Sequence, residues 1–492
     1  MASPITGTPY LPEEILQLIF EQLKISLDRK GYNDKRQTRA TLATACLASK
    51  QCRRLAQPVL YHTIDLESAY GEDEKFYRLS DTLARSSFLS GLVHELKVEY
   101  WDFRPGTDLD PFDDGGTYET KHMLESSRPE FERAMGSMRD FVHPIRSTRS
   151  GTLLQAAYAG SLDAHLAFIL TQCRNLERLG LTIPVDFDES WVSAVLEHAA
   201  AMCHLTNASA PSGSSTLASG SLLPCLKQFD TEHWDTENAT DITDISDILG
   251  ITTLTKYHGF AVDVTPGENP LKIKPYTLEK IELLYSIIDG EGLARLLSCC
   301  PKLSSLSIEW GGATVGDCEI SWDAIGTALR EHGRGMKRLQ FDYTHSMLFE
   351  QGDDEPVHPP LGDLKPLTSL TYLEVPAVAL FGQDDDLVEG YPHFELPILA
   401  DNLPASLKTL KIMQWGELDE EMHDEDVLKK SLIGALVAES RLQNLSTVRI
   451  QGSQFTAEDF EEVEGWRVSL DNQFWVVLKK KQQQQRDTEA EG

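Results

Sequence analysis

The 492 residues carry 77 acidic and 45 basic side chains, a formal charge of −32 with histidines neutral. A chain this long can bury a large core and exceeds one compact domain unless it is built of repeats, and its acidity speaks against nucleic acid as the partner of its body. No window approaches 18 uninterrupted apolar residues, so no membrane span is expected, and the opening MASPITGTPY lacks the basic segment and apolar run of a secretory leader.

The first stretch with a clear pattern is Leu11 to Tyr61. Ile15, Leu18, Ile19 and Leu23 recur at helical spacing, with Pro12 in the first turn, where its missing N–H costs nothing. Glu13 and Glu14 face the positive end of the helix dipole. Further on, Leu42, Cys46 and Leu47, and then Leu55 with Pro58 as a stop, predict two more short helices. Three such helices bury little apolar surface alone, so the remainder calls for a partner. Residues 1–66 hold 9 Lys+Arg and 6 Asp+Glu, a net of +3, which leaves −35 on the rest of the chain. A basic module on an acidic body fits two separate partners, although solubility explains the acidic body equally well.

Two blocks of this stretch, LPEEILQLIF at Leu11 to Phe20 and CLASKQCRRLAQPVLY at Cys46 to Tyr61, resemble the F-box, especially in its fungal wording. The F-box is the adaptor-binding module of substrate receptors in Skp–cullin–F-box ubiquitin ligases. An insertion at about Lys24 to Arg39 separates the blocks, and Cys52 stands where the family usually carries an aromatic residue. The resemblance implies that Leu11, Pro12, Ile15, Leu16, Ile19 and Phe20, with Leu47, Lys50, Leu55 and Leu60, bind a Skp-type adaptor and through it cullin and RING subunits.

Beyond Asp65 a phrase recurs in which a Leu is followed three residues later by an apolar residue and two further on by another. Copies begin at Leu176 (LERLGL), Leu226 (LKQFDT), Leu278 (LEKIEL), Leu303 (LSSLSI), Met336 (MKRLQF), Leu370 (LTYLEV), Leu407 (LKTLKI) and Leu445 (LSTVRI), and a looser one, VHELKV, ends at Val98. The last two apolar positions have the period of a strand buried on one face. From Leu278 onward the spacings are 25, 33, 34, 37 and 38 residues, which suits stacked repeats with loops of variable length. Helix-like stretches precede several copies: LDAHLAFILTQC, EGLARLLSCC, AIGTALREHG and VLKKSLIGALVAES. Strand, helix and strand again predicts parallel neighbours. The phrase and its setting resemble the irregular leucine-rich repeats that follow the F-box in many substrate receptors. The fold expected is therefore α/β: an F-box over residues 1–66, an irregular leucine-rich-repeat solenoid over 67–478 with its parallel sheet on the concave side, and a disordered polar tail over 479–492.

Long loops are expected near 100–125 and 206–221. The first has the aspartates and glycines of a calcium loop, but the position that should hold the bidentate Glu, counted from Asp110, is Lys121, so no metal is expected. The segment Thr152 to Leu170 reads like part of an ankyrin repeat but stands alone, and is better read as the helical side of the solenoid. Eight cysteines without a C-x-x-C pattern, several just before a strand-opening Leu, predict buried thiols in a reducing compartment, cytoplasmic or nuclear. The GGATVG stretch at Gly311 to Gly316 lacks a phosphate-reaching Lys, and His198 with His204 lie off one helical face. The acidic run Glu417 to Asp426 is expected to be a solvated loop.

No phosphate-binding loop, nucleophile elbow or zinc-protease motif occurs, so no catalytic residue, cofactor or metal is expected, and no enzyme. Strand alternation places Asp230, Glu232, Glu282, Glu309, Asp342 and Glu374, followed by Lys411 and Arg449, toward the concave surface. That acidic strip ending in a basic patch would favour a target protein with basic residues, or would merely keep an open sheet face soluble. The function expected is target recognition for a ubiquitin ligase. The alternative is a repeat scaffold that binds the adaptor outside a cullin complex.

Overall fold

Every copy of the leucine phrase folds as a strand, with its fourth and sixth residues on the buried face, as their two-residue spacing requires; in the copy at Leu226 the sixth is Thr231. The computed structural model describes residues 11–25, 27, 32–67, 73–99, 128–138, 141, 152–184, 187–209, 222–233, 238–267, 275–311, 320–343, 359–382, 399–413, 440–451, 465–471 and 475–481. The chain forms two compact units, Met1–Trp234 with Ile251–Leu254, and Asp235–Gly250 with Thr255–Gly492. Both are mixed α/β, with strands that run mostly parallel.

The first unit opens with α1 (Glu13–Gln22), α2 (Tyr32–Ala48) and α3 (Lys50–His62), and continues through β1 (Thr63–Glu67), α4 (Asp73–Arg85), β2 (Glu95–Glu99) and α5 (Arg128–Met135). It then runs through α6 (Leu153–Tyr158), α7 (Leu162–Gln172), β3 (Arg178–Ile183), α8 (Trp191–Ser209) and β4 (Gln228–His233). Strands β1 to β4 pair in sequence order, all parallel. Helix α7 is buried at every residue from Asp163 to Thr171. The Asp163 carboxylate, itself buried, accepts the backbone N–H groups of Trp191 and Val192 at 2.7 and 3.0 Å and so caps the start of α8. The ankyrin-like segment is the α6–α7 pair, joined at Gly160 with φ +84, a conformation that glycine adopts without strain.

The second unit holds α9 (Ile242–Leu249), β5 (Lys256–Phe260), β6 (Lys280–Ser286), α10 (Gly290–Cys299), β7 (Ser305–Trp310) and α11 (Trp322–His332). After these come β8 (Arg338–Asp342), β9 (Tyr372–Pro376), β10 (Thr409–Met413), β11 (Thr447–Gln451), β12 (Trp466–Asp471) and β13 (Trp475–Lys480). Strands β5 to β11 pair in order and parallel, so the central apolar positions stack directly: Ile281, Leu306, Leu339, Leu373, Leu410 and Val448. Trp310, Trp322 and Phe341 fill the space under β7, β8 and α11, and Trp310 Nε1 donates to the Ile288 carbonyl at 2.9 Å.

Several expectations need correcting. Helix α3 runs through Pro58 to His62 instead of stopping there; the proline removes only the N–H that would reach the Arg54 carbonyl, and packing of α3 against α1 and α2 holds the helix past it. Helix α2 is 17 residues long and begins within the insertion. Strand β1 starts at Thr63, inside the range 1–66, and is continuous with α3. The sheet is not wholly parallel: β13 pairs antiparallel with both β11 and β12. Lys479 and Lys480, expected in the disordered tail, belong to β13. Strand β5 has no phrase of the expected kind, because Tyr257 and Gly259 take the apolar positions. A Cβ at Gly259 would lie 2.6 Å from Val262 Cγ2 and 2.8 Å from the Tyr257 hydroxyl, so the neighbouring side chains fill that place.

The aspartate-rich stretch at 100–125, the run 417–426 and the helical reading of 427–439 lie outside the described residues, as does the greater part of 206–221 and of GGATVG. All seven cysteines described are free thiols, and Cys173, Cys203, Cys299 and Cys300 are buried. Among the described residues no three His, Cys, Asp or Glu side chains gather as a metal site would require, and no helix is long and apolar enough to cross a membrane.

Candidate partner-binding surfaces

The apolar residues of α1 divide into two sets. Leu16, Phe20 and Leu23 turn inward and join Leu42, Ala45, Cys46, Cys52, Leu55, Ala56, Val59 and Leu60 in a small core shared by the three helices. Leu11, Ile15, Leu18 and Ile19 do not: with Leu47 they are between 43 and 81% exposed. At about 100° per residue the apolar arc of α1 spans roughly 200° of the helix, about twice what one core contact uses. The three-helix core covers one half and leaves the other bare.

This geometry separates the ten residues assigned to adaptor binding. Leu11, Ile15, Ile19 and Leu47 present apolar surface, while Pro12 forms the N-cap position of α1 and Lys50 opens α3, both exposed. Leu16, Phe20, Leu55 and Leu60 belong to the internal core, where they position the exposed set. Leu18, at 56% exposure, belongs with the surface group although the motif does not point to it; its place on the same stripe as Leu11 and Ile15 was the available signal.

Polar contacts fix the helices. The Ser49 hydroxyl accepts the Cys52 N–H at 3.0 Å and caps α3. Arg54 forms an ion pair with Glu13, joining α3 to α1; with both groups substantially exposed it orients more than it stabilises. Cys52 is partly buried against the helix core, and burial pushes the Cys46 thiol above its usual range. Lys35 and Arg39 of α2 both reach Asp65 on β1, at 3.2 and 3.5 Å, tying the helices to the first strand.

The polar side of the strands is the second candidate surface. The residues of the acidic strip expected there are distributed over both units. Asp230 and Glu232 are on β4 in the first unit, and Asp230 is held by Arg178 at 2.5 Å. In the second unit, cross-strand register places Glu282, Ser307, Gln340, Glu374, Lys411 and Arg449 in one row, with Glu309 and Asp342 paired in the next. Glu282 is bonded to Lys280 at 2.7 Å.

Glu374, only 9% exposed, accepts from Gln340 Nε2 at 2.6 Å, from Lys411 Nζ at 3.1 Å and from the Tyr372 hydroxyl. Burial alone would raise its carboxyl, but the Tyr372, Lys411 and Gln340 donors outweigh it and hold the group below the ordinary carboxylate range. Glu374 is thus a fixed part of the sheet surface. Trp475 lies beside this row, with Lys411 Nζ 5.6 Å and the Arg449 guanidinium 5.0 Å from its ring centre.

No family model matches the chain, and no curated protein matches it. Among solved structures, an internalin from Listeria monocytogenes is similar at 16% identity over 60% of this chain and 67% of that one, with a TM-score of 0.28. At that score the likeness adds no argument. The class rests on the chain itself: a mixed α/β protein whose recurring leucine phrase supplies stacked, mostly parallel strands, preceded by three helices with a bare apolar face.

Proposed function

We propose that this chain is a substrate-recognition subunit of a Skp–cullin–F-box ubiquitin ligase: the three helices bind a Skp-type adaptor and the strand repeats hold a target protein. It performs no covalent step itself, and acts in the cytoplasm or nucleus by raising the concentration of a target's lysines near a ubiquitin-charged enzyme. The observation that carries this reading is the exposed set Leu11, Ile15, Leu18 and Ile19 on a helix whose other apolar half is already packed. Burying such side chains against a partner is worth about 1.5–3 kcal/mol each when complete, enough for a few of them to drive association.

The test is co-elution with a recombinant Skp-type adaptor in size-exclusion chromatography. The native chain should form a complex, and Ile15→Glu with Ile19→Glu should abolish it while the circular dichroism spectrum stays unchanged. A native chain that ignores the adaptor rejects the reading. Recruitment of cullin and RING subunits to that complex separates a ligase receptor from a repeat scaffold that uses the adaptor alone.

A further inference from the structure

The strands of the second unit carry a second row on their polar face, one step nearer the strand starts than the row containing Glu374. Cross-strand register joins Lys256, Lys280, Ser305, Arg338, Tyr372, Thr409, Thr447, Lys479 and Arg467, from β5 to β12. Five of these nine residues are cations and none is a carboxylate, in a chain with a formal charge of −32. Lys256 directly faces Lys280, and Lys479 faces Arg467. Like charges opposite each other on a sheet cost stability.

The next row shows the usual remedy, since Glu374 is saturated by Lys411, Tyr372 and Gln340. In the basic row, among the described residues, only Lys280 has a carboxylate partner, Glu282; Lys256, Arg338, Arg467 and Lys479 form no ion pair, and all four are exposed. Arg338 instead lies over the Tyr372 ring, its Cζ 3.7 Å from the ring centre, with its Nε donating to Gln340. Between the cations, Ser305, Thr409 and Thr447 form a low, hydroxyl-bearing shelf.

We propose that this row binds an acidic, extended segment of the target protein. The inference rests on the receptor reading for the existence of a target, and on charge complementarity for its chemistry. Eight strand-to-strand steps of about 4.8 Å give a track of roughly 40 Å, the reach of about twelve extended residues. Carboxylates along such a segment meet the cations at both ends and Arg338 at the centre, and its backbone meets the hydroxyls. Association then depends steeply on salt, because the cations are solvated.

The experiment measures fluorescence anisotropy of a labelled twelve-residue peptide alternating Glu and Ser, added to the full chain in 50 mM and 300 mM NaCl. Binding at low salt should weaken at least tenfold at high salt, and at least tenfold in the Arg338→Glu, Lys479→Glu double variant. A control double variant, Arg36→Glu with Arg174→Glu, removes the same charge from exposed positions of the first unit and should stay within twofold of the native chain. The proposal is overturned by absence of peptide binding, by equal losses in the two double variants, or by tighter binding of a twelve-nucleotide oligo-dT than of the peptide.

Adaptor co-elution is read on the same preparations. Its loss with peptide binding intact would strike the receptor reading alone, and the reverse would strike this inference alone.

Discussion

The three N-terminal helices and the parallel strands of the second unit use leucine and isoleucine in opposite ways. From Leu278 to Ile450 no apolar residue of the six leucine phrases is more than 4% exposed, whereas α1 leaves Ile15, Leu18 and Ile19 more than 40% exposed. The cause is geometric. A strand in a parallel stack gains neighbours on both sides, so each added repeat covers the apolar row of the one before it. A bundle of three short helices has no further neighbour to add, and an apolar arc of roughly 200° cannot be closed by two partners on one side. Saturated elements indicate structure; an unsaturated one of the same composition indicates a partner.

The largest way to break this contrast is to open a hole in the saturated region. Leu373 is fully buried and lies between Leu339 and Leu410 in register. Leu373→Ala should cost about 2–5 kcal/mol, read as a lowered urea midpoint, because stacked strands on both sides prevent collapse into the cavity. A loss below about 1 kcal/mol would mean that the stack relaxes and is less saturated than its burial indicates.

The same contrast explains what was legible in the sequence. The stacked row was readable because Leu, Ile and Val recur in it at fixed offsets. Strand β5 was not, because Tyr257 and Gly259 occupy its two inward positions and Val262 and Tyr257 supply the missing bulk. Strand β1 was hidden because Ile64 and Leu66 follow directly from α3, with no turn residue to mark the change. The β12–β13 hairpin was missed because Val476, Val477 and Leu478 are all buried and show no alternation. At the helices the apolar spacing was readable, but which half faced inward depended on α2 and α3. The ion pairs of the acidic residues were hidden for a related reason: alternation places a side chain on a face, but its partners are set by cross-strand neighbours such as Lys411 beside Glu374.

A second, comparable effect concerns a polar group inside a saturated element. His165 is fully buried in α7, with Nε2 placed 3.0 Å from the Ala157 carbonyl and with the Tyr77 and Phe131 rings packed edge-on. Burial holds its pKa down to about 4, against the opposing pull of that carbonyl. In the unfolded chain the imidazole takes up a proton near pH 6.5, so between pH 6.5 and 4 the unfolded state binds more protons and stability falls as pH falls. The loss should be on the order of 3 kcal/mol across that window, complete near pH 4 and absent above about 7. Half-buried His62, also lowered to about 4 by burial with Lys24 and His94 nearby, adds in the same direction. Urea midpoints at pH 7, 5.5 and 4.5 measure the slope, and a His165→Leu variant should flatten it.

The smallest effect on stability is also the sharpest test of the contrast. Leu18→Gln with Ile19→Gln changes two residues of α1 that the chain leaves exposed, and Gln is at least as good a helix former as Ile. In the chain alone the unfolding midpoint should therefore move by no more than about 0.5 kcal/mol equivalent, whereas Leu16→Gln, two positions before Leu18 but packed against the core of Phe20, Leu42 and Ala56, should cost several times as much. Were the Leu18 and Ile19 pair to destabilise as strongly as Leu16, those side chains would already be covered by the chain's own residues, and α1 would be as saturated as the strands. If the pair is silent in isolation yet weakens adaptor binding at least tenfold, the same apolar atoms are shown to be idle until a partner arrives.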